Sequence, residues 1–174
     1  VWGGRDGGGL LASGALYNPT TGQWKTLSLA NAPAARAGAA AVWTGERLVV
    51  WGGVGVSGAL NSGAQLVFDV SGTPTEWRTM STINAPSVRT GHSAVWSGER
   101  MIVFGGTSDG GSYLNSGGLY DPATDTWTTL PSDGAPSGRS RHSAIWIGRE
   151  MAIVNGETAS GATASGGAFD PGTG

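Results

Sequence analysis

One internal repeat constrains this chain more than any other feature of its sequence. The segment Ala85–Gly106, APSVRTGHSAVWSGERMIVFGG, recurs with substitutions as Ala32–Gly53 and Ala135–Gly156, and Val1–Gly4 is the end of a further copy. A tryptophan shared by the copies recurs after 53 and then 50 residues, at Trp43, Trp96 and Trp146. A period near fifty residues is typical of proteins built from repeated supersecondary units that bury their apolar faces against their neighbours.

Each copy of the repeat predicts four short β-strands. In the copy that starts at Ala85, the strand-like runs are Ser93–Trp96, Met101–Phe104, Ser116–Tyr120 and Thr126–Leu130. Turn residues and glycines separate these runs, and a glycine pair ends the second one. Four-stranded units repeated around an axis form a β-propeller. We therefore predict an all-β propeller fold.

The composition is that of a folded domain and excludes several classes of function. The chain has 174 residues, 32 glycines, 8 tryptophans and no cysteine. Its glycines lack the three-residue period of collagen, and its apolar periodicity argues against disorder. A net charge of −2 gives no electrostatic footprint for nucleic acid, and no apolar run is long enough to span a bilayer. Without cysteine, this segment has no disulfide, thiol nucleophile or thiolate metal site.

The repeated residues resemble the kelch repeat. Its marks in this chain are the glycine pair, an aromatic-Asp-Pro turn such as Tyr120-Asp121-Pro122, and a tryptophan shortly after it, such as Trp127. The form is similar to the long kelch repeats of bacterial extracellular or cell-surface proteins, and it extends over Val1–Gly174. Local departures from it are Val70, Val154 and Asn155. The resemblance implies a kelch-type β-propeller in an extracellular or cell-surface protein.

The repeats divide the chain into about three and a half blades. They are blade A (residues 1–31, partial), blade B (32–84), blade C (85–134) and blade D (135–174, partial). Kelch propellers resemble closed rings of about six or seven blades, so one copy of this chain forms an incomplete ring. We expect the remaining blades to come from the same, longer polypeptide, because both ends of the sequence fall inside a blade. Closure by a second copy is the alternative.

Loop length distinguishes the two faces of the predicted propeller. The first-to-second and third-to-fourth connections are short and lie on one face, whereas the long, variable connections lie on the other. Binding residues concentrate on loops that a rigid scaffold holds, so the long-loop face is the candidate functional face. Arginines that precede the first strands are expected on this face, near the central channel, at Arg36, Arg89 and Arg139.

These arginines are the candidate ligand-binding residues. In the kelch-type substrate adaptors of ubiquitin ligases, arginines at the similar position line a pocket for acidic peptides, and the resemblance implies such a ring at Arg36, Arg89 and Arg139. A planar guanidinium suits carboxylates because it donates two parallel hydrogen bonds. In the alternative interpretation, each arginine binds backbone carbonyls or a neighbouring acid.

Other recurring residues have structural interpretations. His92 and His142 are interpreted as half-buried strand residues rather than a metal pair, because no carboxylate or third histidine lies near them in sequence. The aspartates at the third-to-fourth turns cap local backbone groups; they are Asp69, Asp121 and Asp170. The repeated tryptophans are expected to pack between blades, with carbohydrate stacking as the alternative; they are Trp24, Trp43, Trp77, Trp96, Trp127 and Trp146.

Together these features predict a non-catalytic recognition module within a larger secreted or surface protein. Its partner is a protein or peptide, or a glycan, and we predict no catalytic residue, metal site, cofactor, nucleic-acid partner or membrane insertion. The first alternative is a carbohydrate-active enzyme, since the scaffolds of galactose oxidase and a sialic-acid mutarotase are similar. Galactose oxidase needs a Tyr–Cys cofactor, and this segment has no cysteine. The second alternative is a structural spacer or filament subunit.

Overall fold

The strands fall into four groups that follow the repeats. The computed structural model describes residues 1–173, which form only strands, turns and loops, so this range holds no helix that could cross a membrane. Blade A contains β1 (Arg5–Asp6), β2 (Gly9–Leu10), β3 (Ala15–Asn18) and β4 (Gln23–Thr26). Blade B contains β5 (Ala40–Trp43), β6 (Arg47–Trp51), β7 (Val54–Gly55), β8 (Gly58–Ala59), β9 (Gly63–Phe68) and β10 (Pro74–Thr79). Blade C contains β11 (Ser93–Trp96), β12 (Met101–Phe104), β13 (Gly117–Asp121) and β14 (Thr126–Thr129). Blade D contains β15 (Ser143–Trp146), β16 (Met151–Val154), β17 (Glu157–Thr158), β18 (Gly161–Ala162) and β19 (Gly166–Phe169).

Blades B and C are four-stranded antiparallel sheets. Their strand orders are β5-β6-β9-β10 and β11-β12-β13-β14, so consecutive main strands are neighbours in each sheet. In blade C, Ser93 lies opposite Phe104, and Tyr120 lies opposite Trp127. The four strands of blade C were predicted from the sequence, and each lies within one residue of its predicted bounds. The all-β propeller architecture is therefore confirmed, with an open ring.

The second strand of blade C is buried on both faces because this blade lies between blades B and D. All four residues of β12, the run MIVF, are buried. Met101 and Val103 pack in one core with residues of blade B, whereas Ile102 and Phe104 pack in another with residues of blade D. Alternate side chains of a strand point to opposite faces, so one apolar run supplies two interfaces.

The first strands lie closest to the propeller axis. β11 contacts both β5 and β15, the first strands of the adjacent blades. The connections after the second strands are long, and in blades A, B and D they form two-stranded hairpins, β1–β2, β7–β8 and β17–β18. The third-to-fourth turns are short, and in blade C the Asp121 carboxylate accepts a hydrogen bond from the backbone N–H of Ala123 at 2.8 Å. This is the turn-capping role that the sequence predicts.

The prediction that the recurring tryptophans pack between blades is wrong for two of them. Trp77 and Trp127 are 2% and 4% exposed, but Trp24 is 61% exposed and Trp43 is 50% exposed. Trp77 and Trp127 each pack against the blade that precedes their own. Within residues 1–173, no blade precedes blade A to cover Trp24, and blade A supplies no first strand against which Trp43 can pack. The repeat sets the position of each ring, but burial depends on the neighbouring blade.

Candidate functional site

The three recurring arginines are buried inside their own blades. Arg36, Arg89 and Arg139 are at most 2% exposed. In blade C, Arg89 Nη1 donates hydrogen bonds to the carbonyls of Gly105 at 2.9 Å and Ser116 at 2.7 Å. Its Nε donates to the carbonyl of Ser87 at 3.0 Å. The guanidinium thus ties the end of the second strand to the start of the third.

The other two arginines repeat this geometry. Arg36 Nη1 binds the carbonyls of Gly52 and Ser62, at 3.1 and 2.7 Å. Arg139 Nη1 binds those of Asn155 and Ser165, at 3.0 and 2.7 Å. Burial lowers the pKa of Arg89 to about 10, which still leaves the guanidinium charged at neutral pH. Carbonyl oxygens, rather than carboxylates, therefore compensate three buried positive charges.

The backbone groups of the same arginines bind the preceding blade. The Arg89 N–H donates to the Leu60 carbonyl at 3.1 Å, and the Arg89 carbonyl accepts from the Gly53 N–H at 3.0 Å. The equivalent bonds of Arg139 go to Leu114 at 3.1 Å and Gly106 at 2.8 Å. Each arginine therefore joins two blades, with its backbone on one and its side chain in the other.

This geometry is that of the alternative interpretation, in which the arginines bind backbone carbonyls. A ligand-binding ring at Arg36, Arg89 and Arg139 stays a prediction. The burial and the carbonyl partners of the guanidinium groups weigh against it, because a ligand would have to break bonds that hold the blades together.

The histidines lie between blades. A Cβ built on Gly52 would stand 2.5 Å from His92 Cε1, and one built on Gly105 would stand 2.7 Å from His142 Cε1. In these two pairs the first glycine thus leaves room for the imidazole of the next blade. His142 Nε2 hydrogen-bonds the Ser93 hydroxyl at 2.7 Å. Burial lowers the pKa of His92 to about 3 and that of His142 to about 4, so both rings are neutral at pH 7.

A buried polar chain links blades B and C, and sequence reasoning missed it. Gln65 Nε2 donates to the Tyr120 hydroxyl at 2.6 Å, and that hydroxyl donates to Asp125 at 2.6 Å. Asp125 also accepts the backbone N–H of Ser81 at 2.9 Å. Burial and the Asp125 carboxylate raise the pKa of Tyr120 well above its usual range. The sequence did contain an indication of this chain, because Gln65 is polar whereas the equivalent residues of the other blades, Leu16 and Leu119, are apolar.

The long-loop face carries an accessible cleft between blades C and D. Its volume is about 520 Å³, and it is lined by glycine, alanine, serine and threonine with one tyrosine, Tyr113. Hydroxyl-bearing residues come from three connections, as Ser112, Ser137, Thr158 and Ser160. A cleft of this size and polarity suits a segment that makes many hydrogen bonds rather than a purely apolar ligand.

An exposed arginine, Arg141, lies on this face in blade D. It stands where the other copies have Gly38 and Gly91, and it adopts a positive φ of 52°. Its backbone N–H donates to the Gly91 carbonyl at 2.8 Å, which fixes it against blade C. Its guanidinium lies 3.4 Å from Glu157 and is 76% exposed. Arginine in place of the repeated glycine marks this residue in the sequence, and the sequence analysis did not predict it as a functional residue.

The site has no clustered metal ligands within the described range. Residues 1–173 contain no group of three or more His, Cys, Asp and Glu side chains placed to hold a metal ion.

Comparison with known proteins identifies the family. The model of the KLHDC2/KLHL20/DRC7 Kelch-repeats domain matches residues 1–156. The chain belongs to the kelch-repeat family. A kelch-repeat domain indicates a protein-interaction module.

Two relatives from Oryza sativa subsp. japonica are similar over more than half of this chain. Adagio-like protein 1 is 33% identical over 110 residues, which are 62% of this chain and 17% of that protein. Adagio-like protein 3 is 31% identical over 101 residues, which are 57% of this chain and 16% of that protein. The match covers only about a sixth of each relative's length. These plant proteins give no support to a bacterial source or an extracellular location.

Proposed function

We propose that this kelch-repeat chain is a non-catalytic module that binds a partner protein through its long-loop face. The observation that carries the proposal is the cleft between the loops of blades C and D, which is open to solvent and bordered by hydroxyl groups. Both ends of each of these loops are held in place, because Arg89 and Arg139 donate hydrogen bonds to the backbone carbonyls where the loops begin and end. A rigid frame with varied loops lowers the ordering cost of binding.

The chemistry of the cleft favours an extended peptide segment. Serine and threonine hydroxyls both donate and accept hydrogen bonds, so they match the alternating N–H and C=O groups of a peptide backbone. Tyr113 adds an aromatic contact, and Arg141 beside the cleft adds an exposed charge that can pair with a partner carboxylate. A location outside the cell is part of the proposal and is supported by the form of the repeats alone.

A peptide array tests this proposal. The 174-residue chain would be applied to an array of immobilised nine-residue peptides of varied sequence, beside a Tyr113→Ala/Arg141→Ala variant and an Arg100→Ala control. Arg100 is exposed and follows a short connection on the opposite face. We expect selective binding that the double variant loses and the control keeps. Equal binding by all three proteins, or loss in the control alone, would refute the assignment of the long-loop face.

A further inference from the structure

Each junction between neighbouring blades contains one pair of side chains from equivalent third-strand positions. The first member of a pair belongs to the earlier blade, and the pairs are Leu16–Leu66 between blades A and B, Gln65–Tyr120 between blades B and C, and Leu119–Phe169 between blades C and D. Leu16 and Leu66 pack in one core, and Leu119 and Phe169 pack in another. Among residues 1–173, only the pair between blades B and C is therefore polar.

The polar pair is hydrogen-bonded at both of its ends. Arg47 Nη1 donates to Gln65 Oε1 at 3.0 Å, and Gln65 Nε2 donates to the Tyr120 hydroxyl at 2.6 Å. That hydroxyl donates to Asp125 at 2.6 Å, and Asp125 also accepts the Ser81 N–H at 2.9 Å. Gln65 is 3% exposed and Tyr120 is fully buried. Water therefore has little access to replace a partner that either side chain loses.

Asp125 also departs from the repeat. Blade A has Gly22 at the equivalent position of its third-to-fourth turn, and both residues adopt a positive φ, of 69° at Gly22 and 55° at Asp125. A residue with a side chain is strained in this region of φ, whereas glycine is not. The hydrogen bonds of the Asp125 carboxylate compensate this strain, so the aspartate has a role beyond the turn.

A blade with apolar residues at these positions would not fit the same face. If a phenylalanine, as at Phe169 of blade D, faced Gln65, the buried amide would lose its hydroxyl partner. If a leucine, as at Leu119 of blade C, faced Tyr120, the hydroxyl would lose the amide that donates to it. Buried polar groups without partners are costly, so each mismatch is disfavoured, whereas leucine and phenylalanine are compatible with each other.

We propose that Gln65, Tyr120 and Asp125 determine which blade can follow blade B: the face that carries Gln65 accepts a blade with tyrosine and aspartate at those two positions and rejects the others. The repeats of one protein are similar enough to exchange places, within a chain or between two copies, and such misassembly is a characteristic failure of repeat proteins. The polar pair makes one junction unlike the rest and so fixes the order of the blades. This role does not involve the long-loop cleft.

Four pairings at this junction test the proposal. They are Gln65–Tyr120 itself, the mismatched Gln65→Leu and Tyr120→Phe variants, and the double variant, which has the leucine–phenylalanine pair of the junction between blades C and D. The 174-residue chain would be unfolded in urea and followed by tryptophan fluorescence. We expect each mismatch to lower stability. The unfolding equilibrium constant of the double variant should be at least about fivefold smaller than the two single effects together predict.

Refolding separates specificity from stability. Each protein would be refolded from urea at the same high concentration, and the share of dimer would be measured by analytical ultracentrifugation, with the unchanged chain as the matched control. We expect the double variant, which folds but has lost the polar pair, to form a dimer share at least about threefold larger, because an apolar face accepts more than one blade.

An Asp125→Gly variant tests the third residue. Glycine would relieve the strain of the positive φ, but loss of the carboxylate should raise the unfolding equilibrium constant at least about fivefold. The matched control is Asn84→Gly, because Asn84 is exposed, has a φ of 58° and is equivalent to Gly134 of the next connection. This control should change the constant by less than about threefold.

Three results would overturn the proposal. The first is that the effects of Gln65→Leu and Tyr120→Phe combine additively to within about twofold in the unfolding equilibrium constant. The second is an equal share of dimer for the double variant and the unchanged chain. The third is an Asp125→Gly variant that is as stable as the Asn84→Gly control.

Discussion

Replacement of Arg89 by alanine is expected to destabilise the fold strongly, whether or not a ligand binds. The change removes the donor of two short hydrogen bonds and leaves the carbonyls of Gly105 and Ser116 without that partner. The Gly105 carbonyl is then an unsatisfied buried polar group, which costs about 1–3 kcal/mol. The Ser116 carbonyl still accepts the Gly105 N–H at 3.1 Å, so it loses only its bond to the charged guanidinium, at about 1.5–3 kcal/mol, and the two losses together are about 2.5–6 kcal/mol. Loss of the packed alkyl stem adds to this. The total is a large part of the stability of about 5–15 kcal/mol that is usual for a domain.

Urea unfolding followed by tryptophan fluorescence measures this loss. The matched control is Arg100→Ala, which removes an exposed arginine from the same blade and should change stability by at most about 0.5 kcal/mol. If Arg89→Ala lowered stability by less than about 1 kcal/mol and abolished partner binding, the structural role assigned here would be wrong. The ligand-binding interpretation of the ring would then be favoured.

Two further predictions concern the contacts between blades. The free energy of unfolding in urea should be greatest above pH 6.5 and fall as the pH drops from 6.5 towards 4. Burial depresses the pKa of His92 and His142 in the folded chain, so the unfolded chain binds protons at a higher pH than the folded one. A His92→Ala/His142→Ala variant whose stability fell as steeply with pH would contradict this. Gly52→Ala should lower the free energy of unfolding by about 2–4 kcal/mol, because the new Cβ meets His92 at 2.5 Å. The matched control is Gly98→Ala, whose Cβ would have nothing within 4 Å. It should lower the free energy of unfolding by about 1–2 kcal/mol, through strain of its positive φ alone. Thermal unfolding would compare the two, and equal losses would show that the blade contact does not matter.

Strand positions could be predicted from the sequence because each copy of the repeat tests the others. A run such as Met101–Phe104 is ambiguous alone, but it recurs after fixed intervals between turn residues. The Asp121 turn was equally predictable, since a short Asx side chain binds its own local backbone. Both features depend on local sequence, and local sequence is what a repeat reproduces.

Burial of the recurring side chains could not be predicted in the same way. Trp24 and Trp127 occupy equivalent positions, yet Trp24 is exposed and Trp127 is buried, because within residues 1–173 only Trp127 has a preceding blade to pack against. The role of Arg89 depends on the carbonyls of Gly105 and Ser116, which approach it only in the folded blade. Recurrence identified these residues as important, but their contacts with distant parts of the chain determine their roles.

The two-sided bonding of the blade-joining arginines has a consequence for how such a chain can grow. Each complete repeat carries both halves of the junction: an arginine whose backbone binds the blade before it, and a glycine N–H and leucine carbonyl that receive the arginine of the blade after it. Duplication of one repeat would therefore create a new unit with matching partners on both sides, without any compensating mutation. Chains of this kind can gain or lose whole units in single genetic steps, while their loops diversify independently.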